Sequence, residues 1–255
     1  MLSRIPKAPK FTTPLLFVHG AWHGAWCWDG FMDYFSARGF SCWAMDLPGH
    51  GERSAEPGLW KTTMMDYVRE VDRAAQRIGN PVIIAHSMGG FVAMKYLERA
   101  HPPAAVLVAP MTFRNLPRTT FLKMAVQYPS MLAKFASLIP LTVTSKKMYR
   151  KLFLFNASET VCERGFAKVS RESSLALMGG GIPTVWLRPS RVASPVLLLA
   201  SGHDYFFPER AERRTARAYR ADFKLYGDMG HNLMVEQGWE TVAGDIFEWL
   251  KLRVT

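Results

Sequence analysis

The stretch VIIAHSMGG, Val82 to Gly90, decides how the chain must fold. Val82 to Ala85 is a short apolar run rich in β-branched residues, the composition of a buried strand. The segment after it, GGFVAMKYLERA, has helical spacing. Between the two stands Ser87, with Ala85 two residues before it and Gly89 two after. This is a form of the G-x-S-x-G pattern, in which a strand turns sharply into a helix and lifts a serine hydroxyl above the sheet. The turn crowds the positions two before and two after the serine, so both must be small. Ala85 replaces the usual first glycine and meets that need.

Outward from this point the chain keeps one rhythm. LLFV, FSCWAMD, AAVLVA, SPVLLLAS and ADFKLYG read as further strands. Between them lie helix-like segments such as WDGFMDYFSARG, where Trp28, Phe31, Met32 and Phe35 fall on one stripe and Gly39 is the stop. The strands are solid apolar runs, as expected where helices cover both faces of a parallel sheet. The fold class is therefore α/β, a mostly parallel, doubly wound sheet. A single domain is expected from 255 residues, with residues 1–110 and 191–255 as its core.

Residues 111–190 break the rhythm. They are rich in Met, Phe and Leu at helical spacing and read as three or four helices interrupted at Pro129, Pro140 and Gly165. Inserted between a strand end and the next strand, they form a helical cap over the carboxyl edge of the sheet, where open α/β sheets bind ligands. The cap holds twelve Lys and Arg against three Glu, a net +9 out of the chain's +11. Its basic residues are interleaved with apolar helix positions and match no recognition motif, which argues against nucleic acid as a partner.

No stretch of 18 uncharged apolar residues exists, so no transmembrane segment is expected. The opening MLSRIPKAPKFTTP lacks the apolar core of a secretory signal and is expected as a short basic tail. Cys27, Cys42 and Cys162 have no metal-like spacing; idle thiols in a reducing, cytoplasmic compartment are the expectation.

A serine hydroxyl is a weak nucleophile at neutral pH and needs a base, itself oriented by an acid. Asp204 in LLLASGHDYFFP and His231 in KLYGDMGHNLM each follow a strand, on the same sheet edge as Ser87. The order Ser, Asp, His is the one this architecture uses. His86, His203, His50 and His101 have weaker claims, and so has Asp228, which reads as a turn residue. The segment PMTFRN after AAVLVA offers no competing acid.

Attack on a carbonyl also needs two N–H donors for the developing oxyanion. Met88, at the start of the elbow helix, supplies one. The other is expected from the loop after LLFV, whose HGAWHGAW repeats a tetrapeptide. The first copy places Gly20 at the turn and the N–H of Ala21 toward Ser87; the second, His23-Gly24, shapes the loop.

VHGAWHGAW, DLPGHG, AHSMGG, SGHDYFFP and GHNLM, in this order, resemble the α/β-hydrolase superfamily over nearly the whole chain. The doubled HGAW is similar to the branch of plant methylesterases, hydroxynitrile lyases and bacterial carboxylesterases. The resemblance implies an α/β-hydrolase fold with Ser87, Asp204 and His231 as catalytic triad and Ala21 and Met88 as oxyanion donors. It implies no cofactor and no metal. The lyases carry a lysine after the triad histidine, where this chain has Asn232, which counts against cyanohydrin cleavage. The expected activity is hydrolysis of a hydrophobic carboxylic ester, with Trp22, Met111, Phe113, Phe121 and Met124 as substrate-binding residues. Thioesterase or lactonase action, an anionic substrate steered by the basic cap, and a non-enzymatic ligand receptor on the same fold are the alternatives.

Overall fold

Four of the strands are buried along their entire length, and this burial explains their unbroken apolar sequences. The computed structural model describes residues 1–113, 117–181 and 185–254. Its strands are β1 (Leu2–Arg4), β2 (Leu15–Val18), β3 (Cys42–Met45), β4 (Val82–His86), β5 (Ala105–Val108), β6 (Val196–Ser201) and β7 (Asp222–Tyr226). They form one seven-stranded sheet in the order β1-β3-β2-β4-β5-β6-β7. Every neighbouring pair is parallel except β1 with β3. The N-terminal stretch is thus not merely a tail: Leu2, Ser3 and Arg4 pair antiparallel with Ala44, Trp43 and Cys42. Three residues are too few to show a strand's alternation in sequence.

The helices are α1 (Asp29–Ala37), α2 (Met64–Ile78), α3 (Met88–Tyr96), α4 (Arg118–Gln127), α5 (Pro129–Ala136), α6 (Lys146–Phe153), α7 (Glu159–Lys168), α8 (Ser174–Gly181), α9 (Glu209–Tyr219) and α10 (Trp239–Lys251). Alternate strand residues feed two separate apolar layers. Leu15, Phe17, Val82 and Ile84 pack with Phe31 and Phe35 of α1 and Val242 and Ile246 of α10. Leu16, Val18, Ile83 and Ala85 pack with Tyr67 and Val71 of α2, Phe91 of α3 and Ala216 of α9. α2 begins at a capping box of Thr63 and Asp66 and stops at Gly79 with φ +92°.

Among the described residues, the chain between β5 and β6 carries five helices, α4 to α8, more than the sequence suggested. Pro129 starts α5, and Pro140 lies between α5 and α6. Gly165 does not break a helix; it sits inside α7 because any side chain there would collide with the Tyr149 hydroxyl of α6. Arg114, one of the twelve basic residues of this segment, lies outside the described residues.

Candidate active site

β4 hands the chain to α3 through a single residue. Ser87 has φ +52° and ψ −120°, a sparsely populated conformation costing on the order of 1–3 kcal/mol. The surroundings impose it: the Ser87 N–H donates to the Val108 carbonyl (3.1 Å), and the Ser87 carbonyl accepts from Met111 N–H (2.8 Å). Gly89 has no room for a side chain, because a Cβ there would run into the backbone carbonyl of His19. A Cβ on Gly20 would come within 2.8 Å of the Ser87 Cβ. The small residues of the elbow and of the first HGAW copy therefore let two backbones meet.

Three parallel strands bring three side chains to this edge. The Ser87 hydroxyl lies 2.8 Å from His231 Nε2. His231 Nδ1 donates to Asp204 Oδ2 at 2.7 Å. The other carboxylate oxygen accepts from the N–H groups of Phe206 (2.7 Å) and Phe207 (3.0 Å). The His231 and Asp204 side chains are each 1% exposed. The Met229 carbonyl ties the two loops together by accepting from the Ser201 hydroxyl (2.7 Å) and His203 N–H (3.0 Å).

The loop after β2 is held from three sides. His19 accepts from Leu47 N–H (3.0 Å) and donates from Nδ1 to the Gly20 carbonyl (2.8 Å). His23 donates from Nδ1 to the Ala21 carbonyl (2.8 Å) and accepts on Nε2 from the Asn232 amide (2.9 Å). The second HGAW copy thus bridges Ala21 to the residue after His231. Trp22, at φ +63°, is anchored by the segment between β5 and β6. Its indole N–H donates to the Leu141 carbonyl (3.2 Å) and its carbonyl accepts from Ser170 N–H (2.8 Å). Its own N–H points at Glu172 Oε2 (3.4 Å).

Glu172 is fully buried. Its carboxylate faces His50 Nε2 (2.9 Å) and accepts from the Tyr67 hydroxyl (2.8 Å) and Ser173 N–H (2.7 Å). His50 Nδ1 faces the Pro48 carbonyl (3.0 Å), so both ring nitrogens meet acceptors. Burial alone would lower the His50 pKa; the Glu172 charge and hydrogen bond reverse this and raise it. Three other buried imidazoles go the opposite way. Burial lowers His23 to about 4 and holds His19 and His86 well below the usual histidine range.

Of the remaining candidates, His86 sits behind the site, its Nε2 3.1 Å from the His231 carbonyl. His203 is exposed and stacks on Phe155 at 3.5 Å; His101 and Asp228 are exposed. Beside Ser87 a cavity of about 570 Å³ opens, walled by Trp22, Met88, Met111, Phe121, Met124 and residues of α4, α5 and α8. Phe113, expected on that wall, instead sets its ring edge-on to Tyr219 of α9 at 6.4 Å. Sequence reasoning missed Glu172 and Asn232 as supports. Glu172, one of only three acids in a basic segment, was the single available signal.

The sequence profile of the alpha/beta hydrolase family matches residues 15–245. The chain belongs to that family. Over 111 residues this hydrolase-family chain is 32% identical to a pyrethroid hydrolase of Sphingobium wenxiniae, covering 38% of each chain. Over 122 residues it is 29% identical to methylesterase 4 of Arabidopsis thaliana, covering 45% of this chain and 46% of that one. It thus spans less than half the length of either curated relative. A monoacylglycerol lipase from Paleococcus ferrophilus superposes with a TM-score of 0.72 at 22% identity, covering 94% of this chain and 96% of that one. The last similarity is one of fold.

Proposed function

We propose that this protein is a serine hydrolase that cleaves neutral, hydrophobic carboxylic esters through an acyl-enzyme. The observation that carries this reading is the unbroken relay from the Ser87 hydroxyl through His231 to Asp204, at 2.8 and 2.7 Å, opening on an apolar cavity. In this reading His231 takes the Ser87 proton as Oγ attacks the ester carbonyl. Asp204, fixed by the Phe206 and Phe207 amides, holds the imidazole in the Nδ1–H tautomer and stabilises the imidazolium. The N–H groups of Ala21 and Met88 receive the oxyanion, each contributing about 10²–10³ in rate. His231 returns its proton to the leaving alcohol, then activates a water that releases the acid. The segment 111–190 acts as a cap that walls the acyl site.

The cavity supports a neutral acyl group over an anionic one. Among the described residues its wall carries no Lys or Arg, and only Ser87 and Tyr128 bring hydroxyls to it. The volume lies within the range of small-molecule pockets. Three buried free thiols fit a reducing compartment.

A panel of p-nitrophenyl esters from acetate to palmitate, with a half-ester of succinate as the anionic probe, tests the reading. Expected is a rise in kcat/KM from acetate to medium-length acyl chains, with the succinate probe slower than its neutral counterpart. Stoichiometric labelling of Ser87 by a fluorophosphonate without turnover of any ester would mean a receptor, not an enzyme.

A further inference from the structure

α4 shows two apolar faces. Phe121, Met124, Ala125 and Tyr128 recur at helical spacing and wall the cavity. Leu122 and Val126, one helical step around, are 63% and 82% exposed. Just past α5, Leu138 and Ile139 are exposed too, and Phe121 is exposed while it also walls the cavity. Scattered apolar residues on a surface need no explanation, but a cluster marks an interaction site. Leu138 adopts φ +57°, a left-handed conformation that a residue with a Cβ rarely takes. The turn it makes is closed by Ile139 N–H donating to the Lys134 carbonyl (2.9 Å).

Charge says what fits there. From Met111 to Ser158 the sequence has eight Lys and Arg and no Asp or Glu. Lys146 and Arg150 pair with Glu159, and Lys146 also with Glu163. Among the described residues Lys123, Lys134, Lys147 and Lys151 form no ion pair, although Lys123 feels the charge of Asp204. Lys123 lies over the Tyr205 ring at 3.7 Å. Partial burial, then the charge of Lys151 nearby, lower its pKa; an approaching anion would relieve that repulsion. A second copy of this chain would bring like charges together, so the face is ill-suited to self-association.

We infer that the face formed by α4, α5 and the Leu138–Ile139 turn docks on a lipid surface bearing anionic headgroups, so that the acyl cavity receives esters from that surface. Leu122, Val126, Leu138 and Ile139 enter the interfacial layer, and Lys123 of α4 and Lys134 of α5, with Lys151 near Lys123, meet the headgroups. The basic charge of this segment thus serves the location of the substrate, while the apolar side chains of the cavity wall select its acyl group. The delivery of esters rests on the hydrolase reading; the docking itself does not.

Cosedimentation of the full chain with phosphatidylcholine vesicles, with and without phosphatidylglycerol, tests this. The comparison includes the Ser87→Ala protein and the double variant Leu122→Asp, Val126→Asp. Expected is binding to the anionic vesicles, weakened by about tenfold or more in the double variant and again when salt is raised from about 50 to about 500 mM. Ser87→Ala should bind as the parent does, and the double variant should hydrolyse soluble p-nitrophenyl acetate at the parent rate. Absence of vesicle binding, or binding indifferent to the double substitution, overturns the proposal. So does sedimentation of the parent as a dimer that the double variant dissociates. Vesicle binding by a protein that turns over no ester would leave the surface standing and remove the hydrolase reading.

Discussion

At the scale of single residues, the proposed site depends on groups that fix geometry as well as on Ser87, His231 and Asp204. Asp204 is nearly buried and accepts three hydrogen bonds, two of them from backbone amides. Asp204→Asn keeps the shape but favours the wrong His231 tautomer; kcat should fall by about 10³–10⁴, measured on p-nitrophenyl butyrate alongside a thermal melt. In the proposed reading Glu172 acts at a distance, through Trp22 and the neighbouring Ala21. Glu172→Gln should lower kcat by about ten- to a hundredfold with KM changed less than about twofold. Inhibition by a trifluoromethyl ketone, which mimics the tetrahedral adduct, should weaken in parallel. A variant that melts earlier yet keeps its kcat would make Glu172 a packing residue only. The convergence of Ser87, Asp204 and His231 was legible in the sequence, because placement at a strand end is a local pattern. The pairing of Glu172 with His50 was not: the two are 122 residues apart, and no periodicity reports a contact of that kind.

At the scale of elements, the elbow and the helices between β5 and β6 determine what the site can do. Gly89→Ala would push a methyl group into the backbone carbonyls of Val18 and His19, which cannot move without displacing β2. A loss of about 2 kcal/mol or more is expected, read from the denaturant midpoint; an unchanged midpoint would show that the elbow is looser than its contacts imply. α5 contributes Leu132 to the cavity wall. Leu132→Trp should shorten the preferred acyl chain in the ester panel while leaving acetate hydrolysis near the parent rate. The buried strands were legible because each is a solid apolar run flanked by turn residues. β1 was not, and neither was the role of Gly165. A three-residue strand has no period, and a helix glycine signals a break until the Tyr149 hydroxyl beside it is known. Phe113 was misplaced for a related reason: spacing shows that a residue is apolar, not whether it faces a cavity or packs against a neighbouring helix of the same layer.

At the scale of the whole molecule, buried imidazoles link stability to pH in two directions. His23 has a folded pKa of about 4 against an unfolded value of about 6.5. Below about pH 6.5 the unfolded chain binds a proton that the folded chain refuses. Stability is therefore lost as pH falls from that value toward 4, by on the order of 3 kcal/mol from this residue. His19 and His86, also lowered by burial, act in the same direction. His50 has the opposite sign: its raised folded pKa gives stability that is complete below about pH 6.5 and is lost as pH rises through the folded value. Tm should fall as pH drops below about 6.5, and His23→Gln should flatten that acid limb. A Tm constant down to about pH 4.5 would mean that water reaches these rings.

Quenching the protein during turnover of p-nitrophenyl butyrate and weighing it intact tests the serine chemistry most directly. A butyryl adduct should appear at one per chain, map to the peptide bearing Ser87, and be absent from Ser87→Ala along with turnover. Ester hydrolysis that continues in Ser87→Ala, or an adduct on any other residue, would contradict it.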